Sequence, residues 1–315
     1  MYDTVFFRLT KADANGVDFL EDLPRFLGDV GVHDYRGATF VSGSLNGLKV
    51  KANACHVDVR GGSLCKFLLG GNYSTMGRKD TQRAIEKLSD SLHLPMDKAT
   101  VTRMDVAQNL IMKHPVAVYL NRLGVLRNAK RLEAPSGLYY RLNKKDCLCL
   151  YDKNEEQKSK NGAISDLYTG RNVLRYERRF IQRIAAKFKA VEVTGAMLYD
   201  EAFYIQVLNA WKADYQAIQK INDIDTTLNF QMMKTVSQFH RAGVLSLIEK
   251  AGGQTQMLNR IKEAQQRGEL TKKQALDFRK VVNEACQVKG DGLAAQNEAI
   301  KELDRKVADA VKFYR

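Results

Sequence analysis

No stretch of the sequence approaches the run of about 20 apolar residues that a membrane-spanning helix needs. The opening, MYDTVFFRLTKAD, lacks the basic segment and long apolar core of a secretory signal. A membrane partner is therefore not expected, and a cytoplasmic location is. Cysteine is sparse and odd in number: Cys55, Cys65, Cys147, Cys149 and Cys286. These residues form no CxxC pair and no Cys/His ligand spacing, so nothing in them predicts a metal site. In a reducing compartment they are not expected to form disulfides. Cys147 and Cys149 alternate along an expected strand and read as packed thiols. Histidine is as thin: His33, His56, His93, His114 and His240 include no histidine–apolar–histidine pair. A standard two-histidine metal site is thereby excluded. Low-complexity tracts and convincing internal repeats are missing too.

What is present in excess is positive charge. The net charge is +14 over 315 residues. Such an imbalance suits a polyanionic partner, and with the membrane set aside that partner is nucleic acid. Hydrophobic residues make up 44% of the chain, enough for a packed core. The length fits one large domain or two ordinary ones.

The first half and the last third read differently. Short β-type runs are expected at residues 4–9, 38–41, 48–59, 100–110, 137–141, 147–151 and 172–180. Helical spacing appears at 81–92 and 115–123. Beyond residue 180 the β signal fades, and helices are expected at 195–221, 232–250, 255–266, 271–288 and 293–313. Thr271 and Gln274 have the spacing of a capping box. The expectation is an α+β fold: an antiparallel-sheet domain with helices on one face over residues 1–195, then an all-helical domain over 196–315.

Three of the expected strands carry chemistry. Side chains alternate faces along a strand. In TVTRMDVAQ, Arg103 and Asp105 share a face. In DCLCLYDK, Cys147, Cys149 and Tyr151 share one, with Lys153 if the strand continues. In NVLRYERRF, Arg175, Glu177 and Arg179 share one. If the three strands are neighbours, these groups converge. Asp105 and Glu177 then offer hard oxygen ligands for Mg²⁺ or Mn²⁺, and Tyr151 offers a hydroxyl nucleophile whose ionisation a metal or Lys153 would assist. The plainer meaning of Arg-x-Asp or Arg-x-Glu on one strand is an ion pair between neighbours.

The order Arg103-Met104-Asp105-Val106-Ala107, Tyr151-Asp152-Lys153-Asn154-Glu155-Glu156 and Leu174-Arg175-Tyr176-Glu177 resembles the filamentous-phage gene II/X replication proteins and their plasmid relatives. Those carry an R-h-D strand, a Y-x-K-x-x-E segment and an R-h-E strand in that order. MYDTV resembles their start, and Gly70-Gly71-Asn72 their G-x-N loop, so the resemblance spans roughly residues 1–185. It implies a divergent HUH-like nickase that initiates rolling-circle replication. Tyr151 would be the nicking tyrosine that stays joined to the 5′ end of the DNA, with Lys153 and Glu156 as its polar partners. Asp105 and Glu177 would hold the divalent metal. Asp58, on the same face as His56 in His56-Val57-Asp58, is a minor candidate for a third ligand; a half-exposed polar strand edge is the other reading of that segment.

DNA contacts are expected from Arg103, Arg175, Arg179, Lys158 and Asn72, with Tyr139, Tyr140 or Tyr168 available for base stacking. Origin DNA, single-stranded or as a hairpin at the nick, is the expected partner, followed by a host helicase and polymerase. The C-terminal helices read equally as an origin reader or as a dimerisation module. Two further readings stay open: a mobilisation relaxase or single-strand transposase using the same chemistry, and a non-catalytic DNA-binding regulator.

Overall fold

The computed structural model describes residues 1–71, 73–143, 145–162, 164–221, 235–286 and 298–314. The fold is α+β. Its strands are β1 (Tyr2–Thr10), β2 (Gly28–Tyr35), β3 (Ala38–Leu45), β4 (Leu48–Ala52) and β5 (His56–Arg60). They continue with β6 (Thr100–Met112), β7 (Lys130–Ala134), β8 (Gly137–Arg141), β9 (Cys147–Asp152) and β10 (Asn172–Phe180). All ten form one antiparallel sheet in the order β2-β3-β4-β5-β1-β6-β10-β9-β8-β7. Helices α1 (Phe19–Asp22), α2 (Leu64–Leu69), α3 (Arg78–Leu92), α4 (Val116–Leu120), α5 (Lys153–Ser159) and α6 (Ile184–Lys187) are interspersed. After them come α7 (Glu201–Gln216), α8 (Val236–Lys250), α9 (Gln254–Gln266), α10 (Lys272–Ala285) and α11 (Glu298–Tyr314).

The chain divides into two compact units, one of Met1–Ile111, Asn128–Tyr215 and Val307–Arg315, the other of Met112–Arg127 and Gln216–Lys306. The first is built on the sheet. Val5, Phe7 and Leu9 of β1, Met104 and Val106 of β6, Leu148 and Leu150 of β9, and Leu174 and Tyr176 of β10 are all buried on one face. Helix α7 covers that face. Trp211 packs on Tyr176 with ring centroids 4.6 Å apart, and Tyr204 meets Tyr2 edge-on at 5.7 Å. The Tyr176 hydroxyl donates to the Trp211 carbonyl at 2.9 Å, and Arg178 pairs with Asp214 at 2.6 Å. Helix α3 buries Ala84, Ile85, Leu88 and Leu92, an apolar stripe at helical spacing.

In the second unit, α8, α9 and α10 share a small core of Leu245, Ile248, Ile261, Ala275, Val282 and Ala285. Capping boxes open α8 at Thr235/Gln238 and α10 at Thr271/Gln274, the latter as the spacing predicts. The Tyr119 hydroxyl donates to the Glu302 carboxylate, which also accepts the Lys113 backbone N–H at 3.1 Å.

Several expectations need correction. Residues 48–59 are two strands, not one. Asn53 turns the chain between them, its side chain accepting from the backbone N–H groups of Cys55 and His56 at 2.8 and 2.9 Å. β2 and β7 escaped notice because they are the sheet's edges and bury no apolar face. Lys153 does not continue β9. Asp152 ends the strand and caps α5, accepting from Asn154 N and Glu155 N at 2.9 and 3.1 Å. Helix α7, expected in a domain over 196–315, belongs to the sheet unit because its aromatic face is what closes the core. The expected helix starts at 232–234 and 293–297 lie outside the described residues, as does the end at 287–288.

Candidate active site

β6, β10 and β9 lie side by side in the sheet. Asp105, Glu177 and Tyr151 therefore stand on three neighbouring strands, on the face opposite the apolar one. On β9 and β10 the register sets Arg175 opposite Tyr151, Glu177 opposite Cys149 and Arg179 opposite Cys147. The β1–β6 ladder shifts register between Tyr2 and Val5 and again between Phe6 and Phe7. Such irregularities re-aim side chains beside functional sites. Asp3 falls in the first of them.

Glu177 is the hub and is 4% exposed. Its carboxylate accepts from the Tyr151 hydroxyl at 3.3 Å, from Arg179 Nε at 2.6 Å and from Arg175 Nε at 3.4 Å. Burial alone would raise its pKa, but Arg175 and Arg179 outweigh burial and hold it below the usual carboxylate range. Arg175 is itself buried. It reaches Asp3, and donates to Asn109 Oδ1 at 2.9 Å. Asn109 also donates to the Tyr168 hydroxyl at 3.0 Å, tying the segment around Tyr168 and Tyr73 to the site.

Asp105 is 2% exposed and is gripped at both oxygens by Arg103, at 2.9 and 2.6 Å. Burial, reinforced by repulsion from Glu177, pushes its carboxyl up to about 6 in spite of Arg103. The two i,i+2 pairs expected on single strands, Arg103–Asp105 and Arg175–Glu177, are thus both formed. Tyr151 is buried, and burial with the nearby Glu177 raises its phenol above the ordinary value while Arg175 opposes. Arg175, not Lys153, is the cation acting on the phenol. Lys153 is buried and commits its ammonium to Glu156 at 2.9 Å. Glu156 also takes Lys160 and Gln157, and although burial pulls the other way these partners bring its carboxyl down to about 2.

The remaining residues fall further out. Asp58 accepts both Arg8 nitrogens at 2.8 and 2.9 Å and Arg60 at 2.9 Å, with His56 3.6 Å away. Its partners include neither Asp105 nor Glu177. Lys158 sits on the solvent side of α5 paired with Glu155 at 2.7 Å. Asn72 lies outside the described residues. Tyr140, Tyr168 and Arg178 are buried, Arg178 on the helix-covered face, so of the stacking candidates only Tyr139 keeps part of its ring exposed. Cys149 donates to Cys147 Sγ at 3.7 Å, and that bond with Arg179 nearby brings the Cys147 thiol below its ordinary value.

Asp3 and Asn109 were missed. Asn109 was findable, since it is four residues beyond Asp105 and so on the same strand face. Asp3 was not, because a register shift placed it.

Among the described residues no three His, Cys, Asp or Glu gather as a set that would hold a metal ion. Asp105 and Glu177 suit a hard cation only in the manner of one or two carboxylates whose shell is completed by phosphate oxygens and water. Arg103 would have to release Asp105 for that.

The sheet buries tyrosine, carboxylates and arginines together on one face and is closed on the other by an aromatic helix, in an α+β fold. The chain belongs to the family described as the N-terminal part of the replication-associated gene II protein of filamentous phages, whose model matches residues 1–214. That span ends within α7, next to the last residue of the sheet unit's middle segment. Membership supports a phage replication-initiator role, a class with nuclease or nickase activity in general. No curated protein matches the chain.

Proposed function

We propose that the protein nicks one strand of origin DNA through Tyr151 and later rejoins it. The observation that carries this reading is the hydrogen bond from the Tyr151 hydroxyl to Glu177, a carboxylate kept ionised by Arg175 and Arg179. In the proposed step the Tyr151 oxygen bonds to the scissile phosphorus and the phosphorus–O3′ bond breaks. The phenol proton passes to Glu177, and the 3′ oxygen takes a proton from water and leaves as a hydroxyl. The 5′ phosphate stays on Tyr151, and attack by a 3′-hydroxyl reverses the step without ATP. Arg175 faces the phenol and lowers the cost of its ionisation. Arg179 and Arg103, which are partly exposed at 35% and 25%, are placed to meet the phosphate's developing charge. Mg²⁺ or Mn²⁺ held by Asp105 and Glu177 would polarise the scissile phosphate when bound. Origin DNA is the proposed partner; strand displacement after the nick calls for a host helicase and polymerase.

The full chain, incubated with single-stranded origin DNA and Mg²⁺, is expected to give a detergent-stable protein–DNA adduct. Tyr151→Phe should abolish it, and an adduct that persists in that variant removes Tyr151 as nucleophile. Glu177→Gln should slow adduct formation by about 10²–10⁴-fold, the usual range for losing a positioned base.

A further inference from the structure

The open face of the sheet does not end at the tyrosine. Beyond β6 it runs on across β1, β5, β4 and β3. Register aligns Arg8 with Asp58, Asp58 with Lys51 and Lys51 with Ser42, so these side chains form one row across four strands. Two phenylalanines stand on the same face. Arg103 lies over the Phe6 ring at 5.0 Å, and Lys51 over the Phe40 ring at 4.3 Å. Both rings are partly exposed, on a sheet whose other face buries Val5, Phe7 and Val41. The only acid in the row, Asp58, is shared by Arg8 and Arg60, whose side chains are 40% and 50% exposed. The row is therefore net positive, with aromatic faces set between cations.

We infer that this surface, Phe6, Arg8, Phe40, Lys51 and Arg60 on β1 and β3–β5, is a track for single-stranded DNA leading away from Tyr151. Aromatic rings between cations suit a single strand, whose bases have free faces to stack while its phosphates meet the cations. A duplex offers no free base faces. From β3 to β9 there are six interstrand steps, about 29 Å at ~4.8 Å each. That length suits the roughly 4–16 nucleotides of a single-strand site. Asp58, once its charge is counted against Arg8 and Arg60, is a brace that holds both guanidiniums on the face. The inference rests on the nicking reading for its direction, but the binding surface itself does not.

The test uses the full chain and fluorescein-labelled polythymidine, with a duplex of equal length as comparison. Phe40→Leu keeps apolar bulk and removes the π face, and is expected to weaken polythymidine binding about tenfold, the effect of losing one stacked base. Lys51→Ala, at an exposed position, should reduce the salt dependence of binding by about 0.7 in log–log slope. Duplex binding should fall less than polythymidine binding, since a duplex offers no free base faces to Phe40. Oligonucleotides carrying 5-bromodeoxyuridine should cross-link to peptides of β1 or β3–β5. Unchanged polythymidine affinity in both variants overturns the track, as do equal losses on single strand and duplex or cross-links confined to other elements. Melting curves establish that each variant is folded. Tyr151→Phe separates the two readings: it removes the adduct and leaves polythymidine affinity intact if both hold. If no adduct forms even with the unaltered chain, the nicking reading fails while the Phe40 and Lys51 losses still decide the track.

Discussion

Asp105 is the carboxylate at the site whose charge is most expensive to keep. Its folded pKa of about 6 lies above the ordinary 3.8, with burial as the main cause. A raised folded pKa means that the native state binds the proton more tightly. The stabilisation is full below the ordinary carboxylate value and is lost as pH rises through about 6. Asp105→Asn removes this titration, so the variant should gain on the unaltered chain between pH 4 and pH 7, by on the order of 1–3 kcal/mol in urea unfolding. A difference that stays flat with pH would sink the assignment. Arg175 is the opposite case, a buried cation that satisfies three partners. Arg175→Ala takes from Asp3 its salt bridge and leaves Glu177 paired with Arg179, and should cost about 3–5 kcal/mol. Adding Asp3→Asn should recover part of that loss, measured as a double-mutant cycle. Residue by residue, the strand faces on which the candidate residues stand were largely legible in the sequence. Alternation assigned Asp105, Glu177 and Tyr151 to polar strand faces, and the order of motifs singled out Tyr151 among thirteen tyrosines. The partners were not readable: that Arg175 rather than Lys153 faces the phenol depends on Asp152 ending β9 one residue early.

At the scale of elements, β8 braces the tyrosine strand. Gly137 pairs with Tyr151, and a Cβ at position 137 would meet Tyr151 Cβ at 3.0 Å and the Tyr139 ring and hydroxyl at 3.1 Å. Both contacts are tighter than ordinary packing. Gly137→Ala should therefore displace Tyr139 and Tyr151 together, costing about 1–3 kcal/mol as overpacking does. Adduct formation should slow more than Gly243→Ala slows it, since nothing lies within 4 Å of a Cβ at that helical position; equal rates in the two variants would count against a brace. Strands with a buried face, β1, β6, β8, β9 and β10, were evident from alternation. β2 and β7 were not, because an edge strand exposed on both faces leaves no apolar period to detect. The β4–β5 turn was hidden inside one alternating run because Asn53 reverses the chain without breaking it.

For the whole molecule, the telling feature is that α7 belongs with the sheet. A chain cut after residue 195, where the composition changes, loses Tyr204, Trp211 and Asp214 from the apolar face. Such a fragment should show no cooperative melt by circular dichroism, since Tyr2, Tyr176 and Arg178 lose their cover. A sharp transition close to that of the full chain would contradict this. The boundary was illegible because α7 is periodic like the helices that follow it, and periodicity does not say what a helix packs on. Among the described residues no helix is long and apolar enough to cross a membrane.

The burial of Tyr151 has a consequence for time. A phosphate joined to this oxygen would sit where only 8% of the residue meets solvent. Water, the competitor that would hydrolyse the ester and make the break permanent, is kept scarce around it. On the proposed nicking reading, the joined end would have to wait until the polymerase had come full circle. On the same reading, the sheet that holds the tyrosine would then also act as a store, preserving an energetic bond for as long as the copying takes.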